Sequence, residues 1–225
     1  MSGLKPEDGH FCKVPEDYFH QWNAQESADL IFLIDGSVNV GSDNFQYIRD
    51  FIVNFIDNLD IGPDRFQIGV IQYSDEPVTK FYLNTYSTKT EVLDAVKRLQ
   101  LKGGDEINTG AAVQFLVDNH LIESAGSRAS ERVPQAVVII TSSESSDDIN
   151  QAELLLKQGS IYSFTIGRRG ADTVELLQLA TDPSFTAMIS EFRDIANLQQ
   201  QFLPLVTAVA RREIIIEPLV ITEGG

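Results

Sequence analysis

Apolar residues in this chain follow two alternating rhythms. Short runs that are apolar on both faces, such as Leu30-Ile31-Phe32-Leu33-Ile34, have the form of central parallel strands. Between such runs, apolar positions recur at helical spacing, as in Phe45, Ile48, Ile52, Phe55, Ile56 and Leu59, which Gly62-Pro63 brings to a stop. In chain order the pattern predicts a strand over 29–35, a helix over 45–59 and a strand over 66–73. The turn Ser74-Asp75-Glu76-Pro77 then leads to a partner strand over 78–83. A helix beginning at Thr88 carries Val92, Leu93, Val96 and Leu99, and after Gly103-Gly104 another runs from Thr109 to Leu121. Strands over 136–141, 161–166 and 185–189 alternate with helices over 149–157 and 173–180. A last long helix, over 195–212, should kink at Pro204. This alternation predicts an α/β fold: a doubly wound, mainly parallel central sheet with one antiparallel edge strand and helices on both faces. Leu33, Val70, Ile139 and Phe164 are its predicted deep core.

The 225 residues suffice for one such domain with extensions. Residues 28–212 form the predicted domain. Residues 1–27 contain Pro6, Pro15 and the aromatics Phe11, Tyr18, Phe19 and Trp22, and residues 213–225 begin as a β-branched, extended tail. Both are read as extensions or inter-domain linkers whose apolar side chains pack beside the domain or a neighbouring module. The first residues lack the apolar core of a signal peptide, as expected of a piece excised from a longer chain. No apolar run approaches the ~20 residues needed to span a bilayer. Cys12 is the only cysteine, so no internal disulfide can form.

Charge narrows the function. Lys and Arg total 17 against 33 Asp and Glu, a formal net charge of −16. Such a surface opposes nucleic acid and anionic membranes, which both require a basic face. The chain has no phosphate-cradling Gly-rich loop and no nucleophile elbow. His10 and His20 lie in the amino-terminal extension, His120 reads as a surface or boundary histidine, and Cys12 lacks a basic partner. These features point away from an enzyme.

Chemistry concentrates in the loops that follow strands. Asp35-Gly36-Ser37-Val38-Asn39 closes the first strand, and Ser142-Ser143-Glu144 closes Val137-Val138-Ile139-Ile140-Thr141. Parallel strands bring such loops together at the carboxyl edge of the sheet. The Asp, Ser and Asn oxygens of the first loop suit a hard cation. Leu30 to Ser37, Ile68 to Ser74, Gly103-Gly104 with Asn108-Thr109-Gly110-Ala111-Ala112, and Val137 to Thr141 together resemble the von Willebrand factor type A domain, in order, over about 28–212. Asn108 to Ala112 and Glu191 to Leu198 are most similar to the amino-terminal modules of collagen VI α3-type chains, with matrilins as close competitors.

That resemblance implies a Rossmann-like fold and a metal-ion-dependent adhesion site built from Asp-x-Ser-x-Ser, a Thr and an Asp. Asp35 and Ser37 match the pattern. Asn39 replaces the second Ser, Ile107 falls at the Thr position, and Ser142 replaces the Asp. A shifted register would offer Thr109 instead, and Asp105, Glu106, Glu144, Asp147 and Asp148 share the rim. The expectation is a vestigial site holding no metal or other cofactor. The resemblance further implies a non-enzymatic extracellular-matrix module that contributes to collagen microfibril assembly. Its partners would be other matrix proteins or neighbouring modules of the same chain, with no nucleic acid and no membrane insertion. The alternative is a divalent-cation-dependent adhesion domain, its cage rescued by Asn39, Thr109 and a rim acid. A third, weaker reading is a nucleotide- or flavin-binding enzyme on a similar sheet.

Overall fold

Residues 26–216 are described by a computed structural model. The expectations for Phe11, Cys12, Tyr18, Phe19, Trp22 and residues 217–225 lie outside them. Six strands form one sheet: β1 (Ala28–Asp35), β2 (Phe66–Tyr73), β3 (Pro77–Phe81), β4 (Gln135–Thr141), β5 (Tyr162–Arg168) and β6 (Thr186–Ile189). Their spatial order is β3-β2-β1-β4-β5-β6; β3 pairs antiparallel at one edge and every other pairing is parallel. The helices are α1 (Ser42–Asp57), α2 (Lys89–Lys97), α3 (Thr109–Phe115), α4 (Asn150–Gln158), α5 (Thr173–Leu179) and α6 (Gln199–Ala210).

Side chains of a strand alternate between faces, and β1 feeds two cores in this way. Leu30, Phe32 and Ile34 join the apolar faces of α1, α2 and α6, while Ile31 and Leu33 join α3 and α4. All eight residues of β1 are buried, which explains its uninterrupted apolar run. Leu33, Val70, Ile139 and Phe164 are each 0% exposed. Thr88 caps α2 through a reciprocal box with Glu91, satisfying backbone donors at the start of that helix.

Two elements depart from the helical periodicity. The predicted last helix is in fact a 3₁₀ segment, Phe192–Leu198, followed by α6. Buried Phe192 and Ile195 lie three apart, one 3₁₀ turn, whereas Phe202, Val206 and Val209 keep the α spacing. Beyond Phe115 the predicted helix widens into a π-turn, Leu116–His120, closed by Leu121 N–H donating to the Leu116 carbonyl at 3.0 Å. The wider turn carries His120 inward. It is therefore a buried histidine and not a surface one, with Nε2 2.8 Å from Thr79 Oγ1 and its ring 4.6 Å from that of Tyr82.

At the amino end of the strands sits a buried ion pair to which the sequence reading gave no role. Asp29 is fully buried, and the Arg128 guanidinium donates to its Oδ1 from Nε at 2.9 Å and from a terminal nitrogen at 2.8 Å. Arg128 N–H, Gln67 and Gln135 also donate to the same carboxylate. Arg128 reaches the carbonyls of Pro63 and Arg65 as well. One residue thus ties β1 to the loops that precede β2 and β4.

Candidate functional site

The parallel pairing of Ile34 with Ile140 brings the ends of β1 and β4 side by side. Asp35 also registers against Tyr73, the last residue of β2. Close backbone packing joins the loops here. A Cβ at Gly36 would lie 2.1 Å from Gln72 Oε1, so only glycine fits. Gln72 in turn accepts the Lys102 N–H and donates to the Gln100 carbonyl. Gly104, at φ +107°, accepts from the Val38 N–H at 2.9 Å, and a Cβ there would meet Ser74 Oγ at 2.5 Å.

Within this frame Asp35 is completely buried and its carboxylate is occupied by the protein's own donors. Oδ1 accepts from Ser37 N–H at 2.9 Å, and Oδ2 accepts from Ser142 N–H at 2.8 Å and from Ser142 Oγ. Asn39 directs its amide nitrogen, not its oxygen, to Ser142 Oγ at 3.0 Å. Asn39, Ser142 and Asp35 thus form a closed relay of donors and acceptors. Ser37 Oγ is different: it is buried with no partner among the described residues.

The second loop supplies no hydroxyl to this cluster. The Ile107 side chain is buried in the core that contains Ile31 and Leu33. Its N–H donates to Ser146 Oγ at 2.9 Å. Thr109 is buried too, but its Oγ1 lies 2.9 Å from the hydroxyl of Tyr73. Burial, and secondarily the Asp35 carboxylate, push the Tyr73 phenol well above its usual range, so it stays protonated.

The rim acids divide. Asp147 accepts from the N–H groups of Gly110 and Ala111, both at 2.8 Å, and so satisfies the amino end of α3. Asp148 accepts from Asn150 N–H at 3.0 Å. Asp105, Glu106 and Glu144 are exposed. Among the described residues no three of His, Cys, Asp and Glu gather in a metal-holding group. Gln72, Tyr73 and Glu175 also hold this edge together, though no motif gives them a role of their own. Glu175 accepts from Ser145 N–H at 2.9 Å, and burial raises its pKa. Only the position of Tyr73 at a strand end facing Asp35 could have singled any of them out.

A six-stranded sheet wound in this order, with loops of Asp, Ser and Thr laced over its carboxyl edge, defines an open, doubly wound α/β domain. The chain belongs to the von Willebrand factor type A domain family, whose family model matches residues 29–201. It is 34% identical over 189 residues to the mouse (Mus musculus) collagen alpha-4(VI) chain, a match covering 83% of this chain and 8% of that one. It is 39% identical over 156 residues to the human (Homo sapiens) collagen alpha-1(XX) chain, covering 69% of this chain and 12% of that one. Among solved structures it is similar to proximal thread matrix protein 1 from the mussel byssus, with a TM-score of 0.75 at 24% identity. That match covers 84% of this chain and 49% of the mussel protein. The chain therefore spans only a small part of its collagen relatives. Those relatives are matrix collagens, which assigns the module to the extracellular matrix. No helix among the described residues is long and apolar enough to cross a membrane.

Proposed function

We propose that this module is a non-enzymatic, metal-independent interaction domain that contributes to the assembly of collagen microfibrils by binding matrix proteins or neighbouring modules. The observation that carries this reading is the Asp35 carboxylate, both of whose oxygens are already held by the protein's own donors. Mg²⁺ requires about six oxygens in near-octahedral array. Here the one buried acid of the site already accepts three hydrogen bonds. Ile107 offers methyl groups where a hydroxyl would be needed, and Ser142 spends its hydroxyl proton on Asp35. The residues present do not fit the ion that the family pattern implies. Collagen relatives supply the setting, and the lack of a nucleotide motif or nucleophile elbow supports a non-catalytic role.

One observation favours the rival, cation-dependent reading: the orphaned, buried hydroxyl of Ser37, an oxygen in want of a partner. Calorimetric titration with Mg²⁺ and Mn²⁺ decides between the two. The metal-independent reading expects no saturable heat at millimolar cation and no rise in melting temperature. A rise of several degrees would require specific binding to the native state and would overturn it. A pull-down from matrix extract should recover the same partners with and without chelator.

A further inference from the structure

We infer that a cavity on the carboxyl edge of the sheet binds the carboxylates of an acidic peptide segment through arginine. The inference deepens the interaction reading above by naming the partner's chemistry, and rests on that reading for its setting. The cavity, of about 480 Å³, lies between the ends of β5 and β6 and the start of α1. Arg168, Arg169 and Arg193 line it, together with the neutral groups of Asn44, Tyr47 and Ser190. Successive strand residues would face opposite ways. The tight turn after β5, in which Ala171 N–H donates to the Arg168 carbonyl at 2.8 Å and Gly170 takes φ +117°, lets both neighbouring arginines line one space.

Three arginines lining one cavity are unexpected in a chain of net charge −16. Glu191 is the one acid in the lining, and it is paired with Arg193. Arg168 and Arg169 have no carboxylate partner among the described residues. Arg168 lies over the buried ring of Phe192, its Cζ 5.2 Å from the centroid, a contact that helps to hold the guanidinium in place. A guanidinium matches a carboxylate bidentately, and neighbouring cations without a carboxylate partner favour an anion between them. The acidity of the remaining surface does not cancel this attraction, because salt screens charges over about 8 Å at physiological ionic strength. A sulfated glycan would need a long basic track; a single concave cluster of cations suits an acidic side chain or two.

The test uses the full 225-residue chain and a fluorescein-labelled hexaglutamate peptide, read by anisotropy at about 0.15 M salt, in one arm with EDTA and in a parallel arm with Mg²⁺. Saturable binding is expected, weakened about tenfold or more by Arg169→Gln and unchanged by the remote Arg65→Gln. Arg169 is exposed on a turn, so this variant should keep the native melting temperature; Arg193→Gln serves as a second probe. Amide resonances of Arg168, Arg169 and residues 190–193 should shift on titration of the unmodified chain. Absence of binding, binding indifferent to both arginine variants, or binding of a heparin-derived octasaccharide in place of the peptide would each overturn the pocket. Peptide binding that survives the arginine variants but is lost with EDTA would overturn the pocket and the metal-independent reading together. Arginine-dependent binding in EDTA upholds the pocket whatever the calorimetric titration returns.

Discussion

Asp29 and Arg128 show how much one pair can hold. The carboxylate is wholly buried and the guanidinium side chain only 11% exposed, so removing one partner strands a charge in a dry site. Arg128→Ala should cost about 3–5 kcal/mol in urea denaturation, whereas loss of the exposed Arg65–Asp60 pair should cost at most about 1 kcal/mol. His120 makes a prediction in pH. Burial lowers its pKa from 6.5 to about 4, so between those values the unfolded chain binds more protons and stability falls as pH falls. Replacing it by Phe should flatten the melting temperature between pH 6.5 and 4; an unchanged slope would refute the assignment. That Asp35, Ser37, Asn39 and Ser142 come together was legible because they lie at or just past the ends of neighbouring parallel strands. The direction of the Asn39 amide was not, since residue type does not fix which end of an amide faces Ser142. Nor was the Asp29–Arg128 pair, whose partners stand 99 residues apart with no periodic signal linking them.

Elements were legible where their apolar period was long and unmixed. β1, β2 and β4 are buried on both faces and read directly as strands, and α1 declares itself through six buried residues on one side. Legibility failed where the period changed within a helix. Phe192 and Ile195 are compatible with either a 3₁₀ or an α turn, and tertiary packing alone chooses between them. The π-turn at Leu116–His120 is likewise invisible, because one extra residue in a turn leaves the composition unchanged. Asp147 illustrates a further dependence between elements. It belongs to the loop after β4, yet it satisfies the first donors of α3, a short helix whose Asn108 makes no side-chain cap. Asp147→Ala should therefore destabilise the fold by about 1–2 kcal/mol, with faster hydrogen exchange confined to α3 and the second loop. Equal loss of protection across the whole sheet would contradict a local capping role.

At the scale of the molecule, the start of the described chain meets the end of α6. Ser27 N–H donates to the Ala210 carbonyl at 3.4 Å, and Glu26 pairs with Arg211, at the end of the sheet opposite the loop edge. Ile214 and Ile216 pack on the core while Ile215 between them is 79% exposed, and Tyr162 donates its hydroxyl proton to the Ile214 carbonyl at 2.6 Å. Such alternation is that of a strand laid along a surface. Residues 213–216 thus lie against the domain. We propose that residues 213–216 belong to the folded unit, which extends it past the predicted boundary at 212. Two truncated chains test this. A chain ending at Ile216 should melt with the full-length protein. One ending at Arg212 gives up a hydrogen bond and two half-buried isoleucines, worth about 1–3 kcal/mol. That should lower its melting temperature by several degrees, at roughly 2–4 °C per kcal/mol for a domain of this size. Equal melting of both truncations would make the segment a linker that only rests on the domain.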